Sequence, residues 1–189
     1  MRRRNLMRGA CARFWADRRG LAAVEFALIM PVLLLFAIGV SELARFALLG
    51  LKVQHAADTV ADLASGSAQL VPAAMTDMFS AVRHIVQPFD VASQGRVIVS
   101  GVSATGGAST ILWQCRGAGV LGASSQIGAK GGRAALPAGL TLRDGESVIV
   151  SEMYFRYEKA LLGIVPSATL RRVAFYRPRF MMPTTLSGC

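Results

Sequence analysis

The stretch Arg18-Arg19-Gly20-Leu21-Ala22-Ala23-Val24-Glu25-Phe26, followed by an apolar run from Ala27 to Val40, decides how this chain is organised. Leu21 to Val40 as a helix would be about 30 Å long, the thickness of a bilayer's hydrocarbon core. Glu25 lies inside that run. A charge at the bilayer centre costs roughly 2.5–3.5 kcal/mol on insertion scales, so such a residue calls for a partner. Cleavage after Gly20 would create one: a positive amino group on Leu21, placed to pair with Glu25 of a neighbouring copy. The alternatives are a protonated carboxyl, or one that reaches the headgroups near the membrane edge.

Charge sets the expected orientation. Arg2, Arg3, Arg4, Arg8, Arg13, Arg18 and Arg19 stand against the single acid Asp17 in residues 1–19, and the rest of the chain is far closer to balance. Positive flanks stay in the cytoplasm, which predicts an N-terminus inside and a C-terminus outside, and favours a topology signal over a nucleic-acid-binding tail. The expected divisions are a basic cytoplasmic leader (1–20), a transmembrane helix (21–40) and an exported domain (41–189). A cleaved secretory signal ending at Ala37-Ile38-Gly39 is the competing reading. It is disfavoured because the apolar helical pattern does not stop at Gly39 and a signal core needs no buried acid. Pro31 removes a backbone donor and predicts a kink.

Beyond the span, Val53, Ala56, Ala57, Val60, Leu63 and Ala64 recur at three- and four-residue spacing. The first helix should therefore run on to Ser65-Gly66-Ser67, about 45 residues in all. A second helix follows Pro72, with Met75, Met78, Phe79, Val82, Ile85 and Val86 on one face and Pro88 beyond it. From residue 96 the period becomes two. Arg96–Val102, Ser109–Cys115, Ser147–Glu158 and Thr169–Arg177 read as strands. In the third, Ile149, Met153, Phe155 and Tyr157 share one face, and Glu152, Tyr154 and Arg156 the other. That alternation predicts an antiparallel sheet with one face covered and one wet. Residues 117–139, rich in Gly, Ala and Ser, read as a loop. The fold class is α+β: a long N-terminal transmembrane helix, a second short helix, then a small antiparallel sheet of about four strands.

Cys11 falls in the leader, where thiols stay reduced; Cys115 and Cys189 fall in the exported part. In an oxidising compartment such as the bacterial periplasm a Cys115–Cys189 disulfide is plausible, with two unpaired thiols as the alternative.

Two motifs carry a resemblance. Arg18-Arg19-Gly20-Leu21-Ala22-Ala23-Val24-Glu25-Phe26-Ala27-Leu28, the Pro31–Leu35 run and Glu42-Leu43-Ala44-Arg45 resemble the start of TadE-like pseudopilins of the tight-adherence (Flp) pilus system. Ser151–Glu158, Arg177-Pro178-Arg179 and the Cys189 end are similar to that family's late strand and closing motif. The resemblance implies a leader cut between Gly20 and Leu21 by a prepilin peptidase on the cytoplasmic face. Glu25 then becomes the fifth mature residue, guiding assembly by pairing with a neighbour's amino terminus. It further implies a single-pass protein of the bacterial inner membrane whose partners are membrane lipid, the peptidase, other pilus subunits and an inner-membrane assembly platform.

Signals for catalysis are weak. His55 and His84 lack a cysteine or second histidine at ligand spacing, so no metal site is expected. No G-x-S-x-G nucleophile motif is present, and Gly117–Ser124 lacks the lysine of a phosphate loop. Gly128-Ala129-Lys130-Gly131-Gly132-Arg133 reads as a solvated loop. Arg171, Arg172, Arg177 and Arg179 read as solvated by default, with a subunit contact as second choice. Glu42 and Arg45 read as a helix-face ion pair. The sequence thus predicts a pilus- or secretion-apparatus assembly subunit with no reaction, cofactor, nucleic acid or small-molecule substrate of its own. The alternative is an uncleaved single-span membrane-anchored periplasmic binding module. A membrane-tethered enzyme would require a concave polar pocket holding a perturbed titratable group.

Overall fold

The computed structural model describes residues 20–189 apart from Ala138, Leu161, Ser187 and Gly188. The leader, with Cys11, lies outside the described residues. Helix α1 (Leu21–Gly66) is followed by α2 (Pro72–Ile85), the single turn α3 (Val91–Gln94), and strands β1 (Gly95–Thr105), β2 (Ala108–Gly117), β3 (Ser147–Tyr157) and β4 (Ala168–Tyr176). The four strands form one antiparallel sheet in the order β2-β1-β3-β4. The α+β reading therefore holds, with the long helix continuous through Pro31 for 46 residues.

The two ends of α1 are built differently. Residues 21–38 are exposed on every face. From Gly39 onward a buried stripe begins, comprising Gly39, Glu42, Leu49, Val53, Ala56, Ala57, Val60, Ala61, Ala64 and Ser65. The three- and four-residue spacing keeps these on one side, and the alanines let the helix axis approach the sheet closely. Leu63, expected on that stripe, is exposed, and Ala61 takes its place in the core. The stripe packs on Val97, Val99, Trp113, Cys115, Ile149, Met153, Phe155, Tyr157, Leu170 and Ala174, which line one face of the sheet. Helix α2 adds Met75, Met78, Phe79 and Val82 to the same core. Burying a side chain such as Leu49 or Val53 contributes about 1.5–3 kcal/mol relative to leaving it in water. Phe46 meets Tyr157 edge-on at 5.0 Å, and Phe89 meets Phe155 at 6.1 Å.

β1 runs three residues further than its alternation indicated. Gly106 and Gly107, with φ of 60° and 76°, form a two-residue turn into β2. Two successive positive φ angles match the twist of a tight hairpin, and glycine adopts them without strain. Opposite Trp113, a Cβ on Gly101 would lie 2.3 Å from the indole, so only glycine leaves room for that ring. The register shifts just after this pair, between Gly101 and Val102.

The sheet's second face is not wet, contrary to the expectation from alternation. The chain between β2 and β3 folds back over it. Leu121 covers Ile98 and Tyr154. Ile127, Leu136, Leu140 and Leu142 cover Val102, Ile111, Val148 and Val150. The Gly128–Arg133 segment is correspondingly not a free loop. Gly131 N donates to Ile111 O at 2.7 Å and Ile111 N to Gly132 O at 3.0 Å, which occupies the exposed edge of β2.

The C-terminal segment after β4 straps helix to sheet. Arg179 N donates to Ser65 O at 2.9 Å, and Trp113 Nε1 donates to Pro183 O at 3.0 Å. Leu186 is buried, and Cys189 is disulfide-bonded to Cys115 with the Cα atoms 4.8 Å apart. The bond joins residues 74 apart in sequence. A cross-link closing so long a loop restricts the unfolded chain and typically stabilises by about 2–4 kcal/mol. Urea unfolding of the purified chain with and without reductant should therefore show a clearly lower midpoint in the reduced protein; coincident curves would contradict this.

Candidate assembly surface

Two kinds of site emerge: an apolar helix surface with nothing packed on it, and buried polar anchors that fix the domain to that helix. On the first, Leu21, Val24, Phe26, Leu28, Val32, Leu35 and Phe36 are each more than half exposed. This stretch of α1 is long and apolar enough to cross a membrane. Glu25 is exposed on it, one turn from the helix start at Leu21. Gly20 caps that start without a side-chain hydrogen bond. Helix N-termini present unsatisfied N–H groups and partial positive charge, so a carboxylate from another copy would be favoured there.

The second kind corrects the expected Glu42–Arg45 pair. Glu42 is 4% exposed and turns towards the β3–β4 connection. Its carboxylate accepts from Leu162 N at 3.2 Å and Val165 N at 3.4 Å. Arg45 instead lies over the Phe89 ring, 5.7 Å from its centre. Spacing along one helix could not show this, because the loop that competes for Glu42 is some 120 residues away in the chain.

Glu152 is a further correction. Alternation assigned it to a solvent face, yet it is completely buried under the β2–β3 connection. The carboxylate is fully partnered. Oε1 accepts from Arg171 Nη2 at 2.7 Å, Arg171 Nε at 2.9 Å, Tyr154 Oη at 2.9 Å and Gln126 N at 3.1 Å, while Ser125 Oγ donates to Oε2. Burial, followed by the bond to Glu152, raises the Tyr154 pKa above its ordinary 10.0. Burial opposes the Arg171 charge, but its bonds to Glu152 and Tyr154 outweigh that and raise its pKa. These groups are perturbed because they hold a loop onto a sheet. The cluster is filled by its own partners.

The C-terminal arginines are also engaged. Besides Arg171, Arg177 pairs with Glu146 at 3.4 Å, and Arg179 pairs with Asp62 of α1. Arg172 lies beside Gly50 of α1. Water was the expected default for all four; instead Arg171 reaches the buried Glu152 carboxylate, while Arg177 and Arg179 make surface pairs. His55 and His84 are exposed on their helices, and Asp58 accepts from Gln54 rather than pairing with His55. Among the described residues no three of His, Cys, Asp and Glu come together as metal donors. A surface groove of about 420 Å³ lies by Ser103, Glu146, Arg177, Phe180 and Met181, well away from the Glu152 cluster.

Two outcomes follow from these anchors. Glu152→Ala strands Arg171 and Tyr154 and should destabilise the fold by about 3 kcal/mol in denaturant titration, the scale for breaking a buried ion pair; a change within error would contradict the anchoring role. A raised tyrosine pKa contributes stability that is complete below the unfolded value near 10.0 and is lost as pH rises through the higher folded value. The stability gap between the parent and Tyr154→Phe should therefore narrow above that pH, and a constant gap would refute it.

A family model described as TadE-like protein matches residues 20–62, covering the N-terminal motif and the helix that bears Glu25 and Glu42. No curated protein and no solved structure matches the chain. The similarity seen in Ser151–Glu158 and the C-terminal motif falls outside the matched stretch. The exposed apolar half of α1 and the start of its buried stripe both lie inside that stretch, so the similarity to TadE-like proteins covers residues 20–62.

Proposed function

We propose that the chain is a minor pseudopilin of a tight-adherence pilus or related secretion apparatus, processed between Gly20 and Leu21 and acting by subunit packing rather than by catalysis. The observation that carries this reading is the coincidence of the TadE-like match with a helix whose residues 21–38 are all exposed in the folded chain. A fold that packs one side of the second half of α1 against α2 and the sheet leaves residues 21–38 to be covered by lipid before assembly and by neighbouring helices after it.

In this account residues 1–20 are a cytoplasmic leader, 21–40 span the inner membrane, and 41–189 form the periplasmic domain. The oxidised Cys115–Cys189 pair suits such a compartment. A prepilin peptidase removes the leader. The freed Leu21 amine and Glu25 of an adjoining copy then pair in a low-dielectric setting, where opposite charges attract strongly and each alone is unfavourable. Pairing of this kind sets the register of stacked helices more than it adds bulk stability. Other pilus subunits and the inner-membrane assembly platform are the partners.

Recovery of the protein from membranes of cells that make the peptidase should yield Leu21 as the first residue. Recovery of the intact chain from Met1 would overturn processing and favour a membrane-anchored binding module. Glu25→Gln should insert normally yet lose assembly, and undiminished piliation would overturn the pairing role.

A further inference from the structure

The β3–β4 connection is anomalous for a hairpin loop. Between Glu158-Lys159 and Ser167 its central stretch, Ala160-Leu161-Leu162-Gly163-Ile164-Val165-Pro166, is apolar, and Leu162 and Ile164 are 42% and 51% exposed. Loops on a water-facing surface are ordinarily polar, and this chain follows that habit at its β1–β2 turn, Thr105-Gly106-Gly107-Ala108.

The position of the loop along α1 explains the exception. A Cβ added to Gly39 would meet Ile164 Cδ1 at 2.9 Å, so the loop rests against the helix one residue before the end of the apolar run. Glu42, one turn further on, holds it there through Leu162 N and Val165 N. The buried carboxylate therefore fixes the height of the loop relative to the span. The opposite end of the domain stands far off. Ser65, which accepts from Arg179 N, is 26 residues further along the helix, about 39 Å at the standard rise.

We propose that Leu162 and Ile164 enter the outer interfacial layer of the bilayer, making the β3–β4 loop a second, shallow membrane contact beside the span. The proposal rests on the reading of residues 21–40 as membrane-spanning. Ile164 covers Gly39, whose helix neighbours Phe36 and Val40 are 71% and 49% exposed, so the loop lies against the outer end of the span and meets the medium that covers that end. Lys159 at the loop's base is placed to keep its ammonium at headgroup level while its stem lies along apolar surface. Two attachment points, a helix and a loop, restrict the tilt of the domain over the membrane, which a single helix leaves free.

The test uses the full chain with Cys11→Ser in phosphatidylcholine vesicles, labelled with a fluorophore at one added cysteine and challenged with lipids carrying a nitroxide near the headgroup or deep in the acyl chain. Ile164→Cys should lose fluorescence to the shallow nitroxide, and Leu33→Cys to the deep one. Met181→Cys, at the distal end and 95% exposed, should lose it to neither. Quenching at Leu33 without quenching at Ile164 overturns the loop contact alone. Failure at both positions overturns the spanning reading and the loop contact with it. Protection of Ile164 that appears only as protein density rises would assign the loop to a second copy of the chain and overturn the lipid contact.

Discussion

A helix that is apolar on every side cannot satisfy itself against one sheet in water. Packing covers a single stripe, and the remaining faces stay exposed. In α1 this constraint divides the element in two. Residues 21–38 carry leucine, isoleucine, valine and phenylalanine all round and are exposed on every face. Beyond Gly39 the apolar residues contract to one side, the other side turns polar, and the sheet closes over the stripe. One continuous helix thus presents two kinds of surface. Every other element is arranged around its second half.

Polar groups tie the second half of α1 to the domain at both of its ends. Glu42 draws the β3–β4 connection onto the helix at the base of the domain. Asp62 and Ser65 draw the C-terminal segment onto it at the other end, and the Cys115–Cys189 bond returns that segment to β2. Helix and sheet are therefore tied at top and bottom with an apolar core between. Glu152 plays the corresponding part on the far face. It converts an irregular connection into a fixed cover by offering one carboxylate to donors from three separate segments.

Much of this was legible in the sequence because it is local. Periodicity located α1, α2 and the four strands, and the Arg-Arg-Gly boundary followed by Glu25 located the stretch that the TadE-like model matches. What escaped was non-local. The cover over the sheet's second face is made by Leu121, Ile127, Leu136, Leu140 and Leu142, whose spacing follows neither a helix nor a strand. Without that cover in view, the alternation in β3 made Glu152 look solvated. A signal did exist, since Tyr154 faces Arg171 across β3 and β4 and Glu152 is the next residue on that face. Reading it required the strand register, which the sequence did not supply. Glu42 and Arg45 failed for a similar reason. Three-residue spacing makes a pair available, but the backbone N–H groups of Leu162 and Val165 in a distant loop take the carboxylate.

The central claim is that the first half of α1 is surrounded by lipid and the second half by protein on one side and water on the other. Spin labels placed singly along residues 21–60 of the chain in bilayers, read by their accessibility to oxygen and to a water-soluble nickel complex, test it directly. The account predicts oxygen access on all faces with nickel excluded from 21 to 38, giving way after Gly39 to a 3.6-residue alternation whose minima fall at Leu49, Val53, Ala56 and Val60. Nickel access recurring with a helical period inside residues 21–38 would place one face of that half in water and contradict it.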